Sequence, residues 1–138
     1  MTEQEETRLK ELCDGGFTAY SGIKVRTIRD GYAEGEIEIQ EHHLNPHGTI
    51  HGGLLYVLTD TIGGLATRGE GPFVPTTAAS SISYLKPTFG TKKLIAKAQL
   101  VKSGHSLCVV QTDVYDENDM HLATSTSNYF NIADKVKR

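Results

Sequence analysis

An α+β fold, one antiparallel β-sheet wrapped around a single long α-helix, is what this 138-residue sequence predicts, on three observations. A helix-length apolar stripe, Leu54, Leu58, Ile62 and Leu65, stands between two strand-like segments and four more downstream. A polar turn ending in Gly52-Gly53 opens that helix. No repeat, linker or low-complexity segment divides the chain, whose length suits one domain with a real core, so residues 1–138 are read as a single domain.

The elements follow in order. Residues 1–20 are expected to hold a peripheral N-terminal helix: Thr2 and Glu5 form a capping box ahead of Leu9 and Leu12, and Gly15-Gly16 supplies a stop. Ile23 to Arg29 and Ala33 to Ile39 read as a hairpin around Asp30-Gly31 with one wet face. There Glu34, Glu36 and Glu38 alternate with Gly35, Ile37 and Ile39. The helix is predicted over Leu54 to Thr67, its stripe flanked by Leu55, Val57, Thr61 and Ala66. Within it, Gly63 and Gly64 each cost about 1 kcal/mol relative to alanine. They are expected on Asp60's side, away from the stripe, either as a smooth face for a second subunit's antiparallel helix or as a locally weak helix end. Four β-rich segments follow, Thr76 to Leu85, Lys93 to Lys102, Ser106 to Tyr115 and His121 to Ile132, the later ones an antiparallel meander.

Composition narrows the function classes. Net charge is -3 with a pI near 6.0, and the 14 Lys and Arg residues are scattered, which argues against a nucleic-acid surface while leaving a small anionic ligand open. Cys13 and Cys108 are too few for a disulfide framework and lack metal-type spacing, as suits a reducing cytoplasm. The acidic start, Met1-Thr2-Glu3-Gln4-Glu5-Glu6, is unlike a signal peptide, and no apolar run approaches the ~18 residues of a membrane span. A soluble, unprocessed chain without membrane or nucleic-acid partners is expected.

The chemistry concentrates in Asn45-Pro46-His47-Gly48-Thr49-Ile50-His51-Gly52-Gly53 and the helix after it. Two glycines let a backbone approach a ligand closely, and a helix start presents unpaired N–H groups at the positive end of its dipole, a combination that polarises a carbonyl oxygen. Asp60 follows seven residues after Gly53, about two turns on, on the same face but roughly 10 Å along the axis. One helix therefore cannot close a site alone, whereas a second copy running antiparallel brings its Asp60 to the glycine turn. The crowded His42, His43, His47 and His51 lack the converging third and fourth ligands of a metal site, and polar turn residues are the simpler reading. No phosphate-binding glycine loop is present, and no Gly-x-Ser-x-Gly elbow surrounds Ser103 or Ser106.

The pattern Asn45-x2-Gly48-x2-His51-Gly52-Gly53 with Asp60 in the next helix resembles the hotdog-fold acyl-CoA thioesterase superfamily, in particular its phenylacetic-acid-degradation and thioesterase superfamily member 2 types. The likeness extends to Ile82-Ser83-Tyr84-Leu85-Lys86-Pro87 and to Val101-Lys102-Ser103-Gly104-His105-Ser106-Leu107, covering roughly Ile23 to Ile132. It implies a sheet curled round a central helix, dimers whose sheets join, sites at the subunit interface and a dimer of dimers. It also implies an acyl-CoA hydrolase without cofactor, CoA being part of the substrate. Carried over, Gly53 N–H binds the thioester oxygen, and Asp60 of the opposite subunit acts as nucleophile or general base. Asn45 positions the thioester or water, and His51 braces the turn. Thr77, where many relatives have serine, holds the water. CoA runs over Tyr84 to Lys86 and the Lys102, Ser103, Gly104, His105 and Ser106 hairpin, with Lys86, Lys102 and His105 near its phosphates.

The chemistry stands without the family: a thioester is already electrophilic, so a positioned carboxylate and one or two backbone donors suffice. A non-catalytic acyl-CoA sensor, which would dispense with Asp60, and a dehydratase of acyl thioesters, which would use a catalytic histidine, are the alternatives. Leu54, Leu55, Tyr56, Leu58 and Phe73 are candidates for an acyl pocket and equally for the core.

Overall fold

The computed structural model describes residues 2–67 and 73–133, and the side chains there apart from Leu12, Phe73, Val74 and Ala133. Thr2 opens α1 (Glu3–Leu12) through the expected capping box, its hydroxyl accepting the Glu5 N–H at 3.1 Å and Glu5 accepting the Thr2 N–H at 2.7 Å. The helix expected in residues 1–20 ends before Gly15-Gly16 as their stop signal predicts, and a second helix that was not expected follows. Gly16, at φ 60°, turns the chain and starts a five-residue helix, α2 (Gly16–Tyr20).

β1 (Ile23–Arg29) and β2 (Tyr32–Glu38) form the predicted hairpin, with Gly31 at φ 75° in the turn. Then come α3 (Gly52–Ala66), β3 (Phe73–Tyr84), β4 (Lys93–Ser103), β5 (Leu107–Tyr115) and β6 (His121–Ala133). The sheet is antiparallel throughout, in the order β1-β2-β4-β5-β6-β3. β4, β5 and β6 are the predicted meander, while β3 crosses over to lie outside β6 as an edge.

Small residues explain how one face of the sheet takes the helix. Register sets Ala33 beside Ala98 and Gly35 beside Ala96, with Ile37 and Leu94 closing the end of the row. These make a shallow trough that Leu58 and Ile62, fully buried, fill. A Cβ on Gly35 would stand 2.3 Å from Ile62 Cδ1, so the glycine makes room for the helix. The opposite face is wet as expected: Glu36 lies between Arg26 at 3.4 Å and Lys93 at 3.0 Å. No helix among the described residues is long and apolar enough to cross a membrane.

Gly63 and Gly64 do not present the outward face that the sequence suggested. Gly63 is buried against its own sheet, where a Cβ would come within 2.5 Å of the Tyr129 hydroxyl, and Gly64 lies against the same ring. The Tyr129 hydroxyl, placed by the β6 register, explains Gly63, whereas at Gly64 a Cβ would be in ordinary contact with the ring at 3.6 Å.

His43, in a 3-10 turn (Glu41–His43), ties α2 to the loop before α3. Its Nδ1 accepts the Gln40 N–H and its Nε2 donates to the Ser21 carbonyl, each at 2.9 Å. Burial, then the neighbouring His42, pushes its pKa below the ordinary imidazole value. The folded state thus keeps His43 neutral while the unfolded chain takes up a proton below about pH 6.5, so stability is lost as pH falls through that range. Thermal denaturation between pH 7.5 and 5.5 is expected to show a fall in melting temperature that is smaller in His43→Gln. Parallel profiles for the two proteins would refute this role.

Candidate active site

The loop before α3 is built by Asn45. Its Oδ1 accepts the N–H groups of His47 at 2.9 Å and Thr49 at 3.3 Å, and its Nδ2 donates to Thr49 Oγ1 at 2.7 Å. Asn45 thus spends its amide on the shape of its own turn, which Gly48 completes at φ 85°. Ile50 N–H donates to Thr88 Oγ1 at 2.9 Å and His51 N–H to the His43 carbonyl at 2.9 Å, which aims the chain into the helix.

His51 is the N-cap of α3, and both glycines lie inside the first turn rather than before it. The His51 Nδ1 accepts the Gly53 N–H at 2.8 Å, so the donor assigned to a thioester oxygen is held by a neighbouring side chain. A backbone N–H only donates, hence Nδ1 carries the lone pair and the neutral ring bears its proton on Nε2. On the other side, the Tyr84 hydroxyl donates to the Gly52 carbonyl at 2.8 Å. Two polar hydrogens thus meet at this corner, the N–H of Gly53, already donated to His51, and the Nε2–H of His51.

Asp60 sits half-buried two turns along α3, where Thr77 Oγ1 donates to its Oδ1 at 2.6 Å. That contact fixes the carboxylate through Oδ1. From beneath, the Tyr129 hydroxyl donates to the Asp60 main-chain carbonyl at 2.9 Å, and burial followed by the Asp60 charge holds the phenol above its ordinary range. Arg68, a conceivable partner for Asp60, lies outside the described residues.

These pieces occupy two ends of one edge. Thr77 pairs with Tyr129 and Tyr84 with Ala123 along β6, and the six steps between those partners span roughly 20 Å of strand. The glycine turn, Tyr84 and Lys86 belong to one end, where His47, Leu55 and Phe89 help enclose a cleft of about 310 Å³. Asp60 and Thr77 belong to the other. So does the Lys102 to Ser106 hairpin: Leu107, next to it, pairs with Phe130, which pairs with Thr76. The hairpin is closed by Gly104, whose N–H donates to the Leu107 carbonyl at 2.8 Å and whose Cβ would meet that oxygen at 2.6 Å. The two CoA segments inferred from sequence are thus apart within one chain.

Of the acyl-pocket candidates, Leu55 and Leu58 are core, while Leu54 is half-buried and, with its neighbour Val57, faces a second cavity of about 290 Å³. Tyr56 is largely exposed, and the Phe73 side chain is outside those described. That second cavity is bounded by Phe17 and Tyr20 of α2, which the sequence reading passed over; their i, i+3 spacing was the available signal. Tyr129 was also missed, because β6 carries it without local sequence context. Among the described residues no group of three His, Cys, Asp or Glu side chains is placed to hold a metal, and His43 and His51 direct nitrogens at backbone groups.

Comparison with known proteins finds related chains. A family model described as the thioesterase superfamily matches residues 47–123. A putative esterase of Halobacterium salinarum is 34% identical over 113 residues, covering 77% of this chain and 74% of the relative. The acyl-coenzyme A thioesterase PaaI of Escherichia coli is 33% identical over 69% of this chain and 64% of its own. Among solved structures, a Streptococcus mutans protein bound to acetyl CoA superposes with a TM-score of 0.75 at 28% identity, over 80% of this chain and 89% of that one.

Proposed function

This chain belongs to the thioesterase superfamily, and from that premise of thioester hydrolysis we propose that it is an acyl-CoA thioesterase whose sites are each shared by two copies of the chain. The observation that carries the sharing is the separation of the parts: the carbonyl-binding turn and the carboxylate lie at opposite ends of β3, and β3 is a sheet edge. Antiparallel pairing of β3 with a second β3, centred between Ser80 and Ser81, sets Thr77 of one copy opposite Tyr84 of the other. It brings Asp60 to the partner's helix start and the Lys102 hairpin to the partner's Tyr84 and Lys86. Exposed Thr76, Thr77, Ala78 and Ala79 on that edge support such pairing.

In this reading the thioester lies across the first turn of α3, with CoA leaving through the cleft by Tyr84 and Lys86, the ammonium serving an anionic phosphate. The carbonyl oxygen takes the Gly53 N–H, drawing it from His51 Nδ1, with His51 Nε2–H available beside it. Asp60 Oδ2, oriented by the Thr77 bond to Oδ1, removes a proton from water as the water oxygen attacks the carbonyl carbon. The oxyanion collapses, the C–S bond breaks, and the thiolate of CoA recovers the proton from Asp60. Direct attack by the carboxylate would instead give an anhydride, then hydrolysed by water. Label found in the Asp60 carboxylate after a single turnover in ¹⁸O-water would establish the anhydride route with water attacking the aspartyl carbonyl, whereas general-base hydrolysis labels the product acid alone.

The shared site has a direct test. Gly53→Val disables the turn and Asp60→Asn the carboxylate, so each homodimer is expected to be inactive toward acyl-CoA. Refolded together in equal amounts, they form heterodimers in which one of two sites is intact, restoring about a quarter of wild-type activity. A mixture as inactive as its components would overturn the sharing; a wild type that binds acyl-CoA without turnover would make the protein a sensor.

A further inference from the structure

We propose that Tyr129 is a positioning residue of the reaction: its hydroxyl fixes the main chain of Asp60, so that the strand partners Thr77 and Tyr129 clamp that residue at its carboxylate and at its backbone. This deepens the thioesterase reading and rests on it for the role of Asp60.

The clamp is one rung of the sheet. Thr77 and Tyr129 stand opposite each other in the β3–β6 register. The Thr77 hydroxyl donates to Asp60 Oδ1 at 2.6 Å, and the Tyr129 hydroxyl donates to the Asp60 carbonyl at 2.9 Å. A bulge makes this rung usable. Side chains alternate along a strand, so Thr77 and Tyr84, seven residues apart, would point to opposite faces of a regular one. The register shifts between Thr77 and Ala79, leaving Ala78 without a partner, and both hydroxyls then reach α3, Thr77 at Asp60 and Tyr84 at the Gly52 carbonyl.

The helix gives up regularity to admit the phenol. In an α-helix the Asp60 carbonyl accepts the N–H of residue 64, and here residues 63 and 64 are both glycine, a poor helix former. The turn that fixes Asp60 from its C-terminal side is therefore intrinsically weak. A Cβ at Gly63 would lie 2.5 Å from the Tyr129 oxygen, so a stronger helix former there would push away the hydroxyl that holds the carbonyl. Departures from local preference of this kind collect at functional sites. Tyr129 is 2% exposed, and a ring buried for packing alone could end in carbon. Its phenol stays protonated, since burial and then the Asp60 charge push its pKa up against a smaller opposing effect of the Ser127 hydroxyl. Ser127 in turn meets Ser80 Oγ at 2.7 Å, which carries the polar contacts to the edge strand.

Steady-state thiol release by the full chain tests the role. Tyr129→Phe keeps the ring and is expected to lower kcat about 3-fold to 30-fold with KM unchanged within about 2-fold, because a displaced carboxylate affects the step and not substrate binding. Thr112→Val is the control. Its hydroxyl is buried beneath the same helix and has no hydrogen-bond partner among the described residues, so the rate is expected to stay at the wild-type level. In an Asp60→Asn background, where no carboxylate remains to be aimed, Tyr129→Phe is expected to change the residual rate less than about 1.5-fold. Wild-type kcat in Tyr129→Phe, a rise in KM in place of the fall in kcat, or the same proportional loss in both backgrounds would overturn the positioning role. Full activity in Asp60→Asn would sink the reading of Asp60 and this role with it, whereas a large loss there beside wild-type kcat in Tyr129→Phe would sink the positioning role alone.

Discussion

Asp60→Asn is expected to lower kcat/KM for acyl-CoA hydrolysis by about 10²-fold or more, in a protein whose melting temperature and oligomeric state match the wild type. The amide keeps the shape of the carboxylate and an oxygen for the Thr77 hydroxyl, 2.6 Å away in the wild type, yet removes the charge that takes a proton or attacks carbon. Loss of a positioned general base is worth about 10²-fold to 10⁴-fold. Thr77→Val tests the orienting bond separately. It preserves volume, removes the donor and is expected to cost about 10-fold in kcat with little change in KM, since a misaimed carboxylate affects the step and not ground-state binding. Thiol release monitored with a chromogenic reagent measures both. Wild-type rates in Asp60→Asn would remove the residue from the mechanism.

Gly63→Ala is expected to change sign with its neighbour. In the wild-type background the new methyl would come 2.5 Å from the Tyr129 hydroxyl and 3.3 Å from Thr112 Oγ1, both buried. Tyr129 must then shift and give up its bond to the Asp60 carbonyl. Overpacking costs about 1–3 kcal/mol and a lost buried hydrogen bond about 1–3, against about 1 gained in helix propensity. The expected net loss is about 3 kcal/mol. In Tyr129→Phe the offending oxygen is gone, the nearest remaining ring carbon is at 3.4 Å, and the same alanine is expected to be neutral or stabilising by up to about 1 kcal/mol. Urea denaturation of the four proteins gives the coupling directly. Additive effects would mean that Gly63 does not owe its identity to Tyr129.

Much of the fold was legible because it is written in local periods. Leu54, Leu58, Ile62 and Leu65 repeat at helical spacing, and all but the half-buried Leu54 are buried. The acidic alternation of Glu34, Glu36 and Glu38 marks a wet strand face as expected. The helix start moved by two residues where side-chain capping decides it, since His51 closes the turn with its own ring. The second short helix escaped because five residues carry too little pattern to register.

The candidate site divides along the same line. Residue type and spacing along one helix singled out the glycine turn and Asp60, since a helix converts sequence distance into direction and length. What lies across from each residue depended on strand register and on packing between distant segments. Register placed Thr77 under Asp60, and put the Lys102 hairpin a sheet's length from Tyr84. Packing turned Gly63 inward against Tyr129, and left Phe17 and Tyr20 beside Gly53 at the mouth of a cavity. Short-range periodicity is enough to decide which faces are apolar and where a helix begins. Which side chains meet is decided by contacts between residues far apart in the chain, and only the folded sheet brings those together.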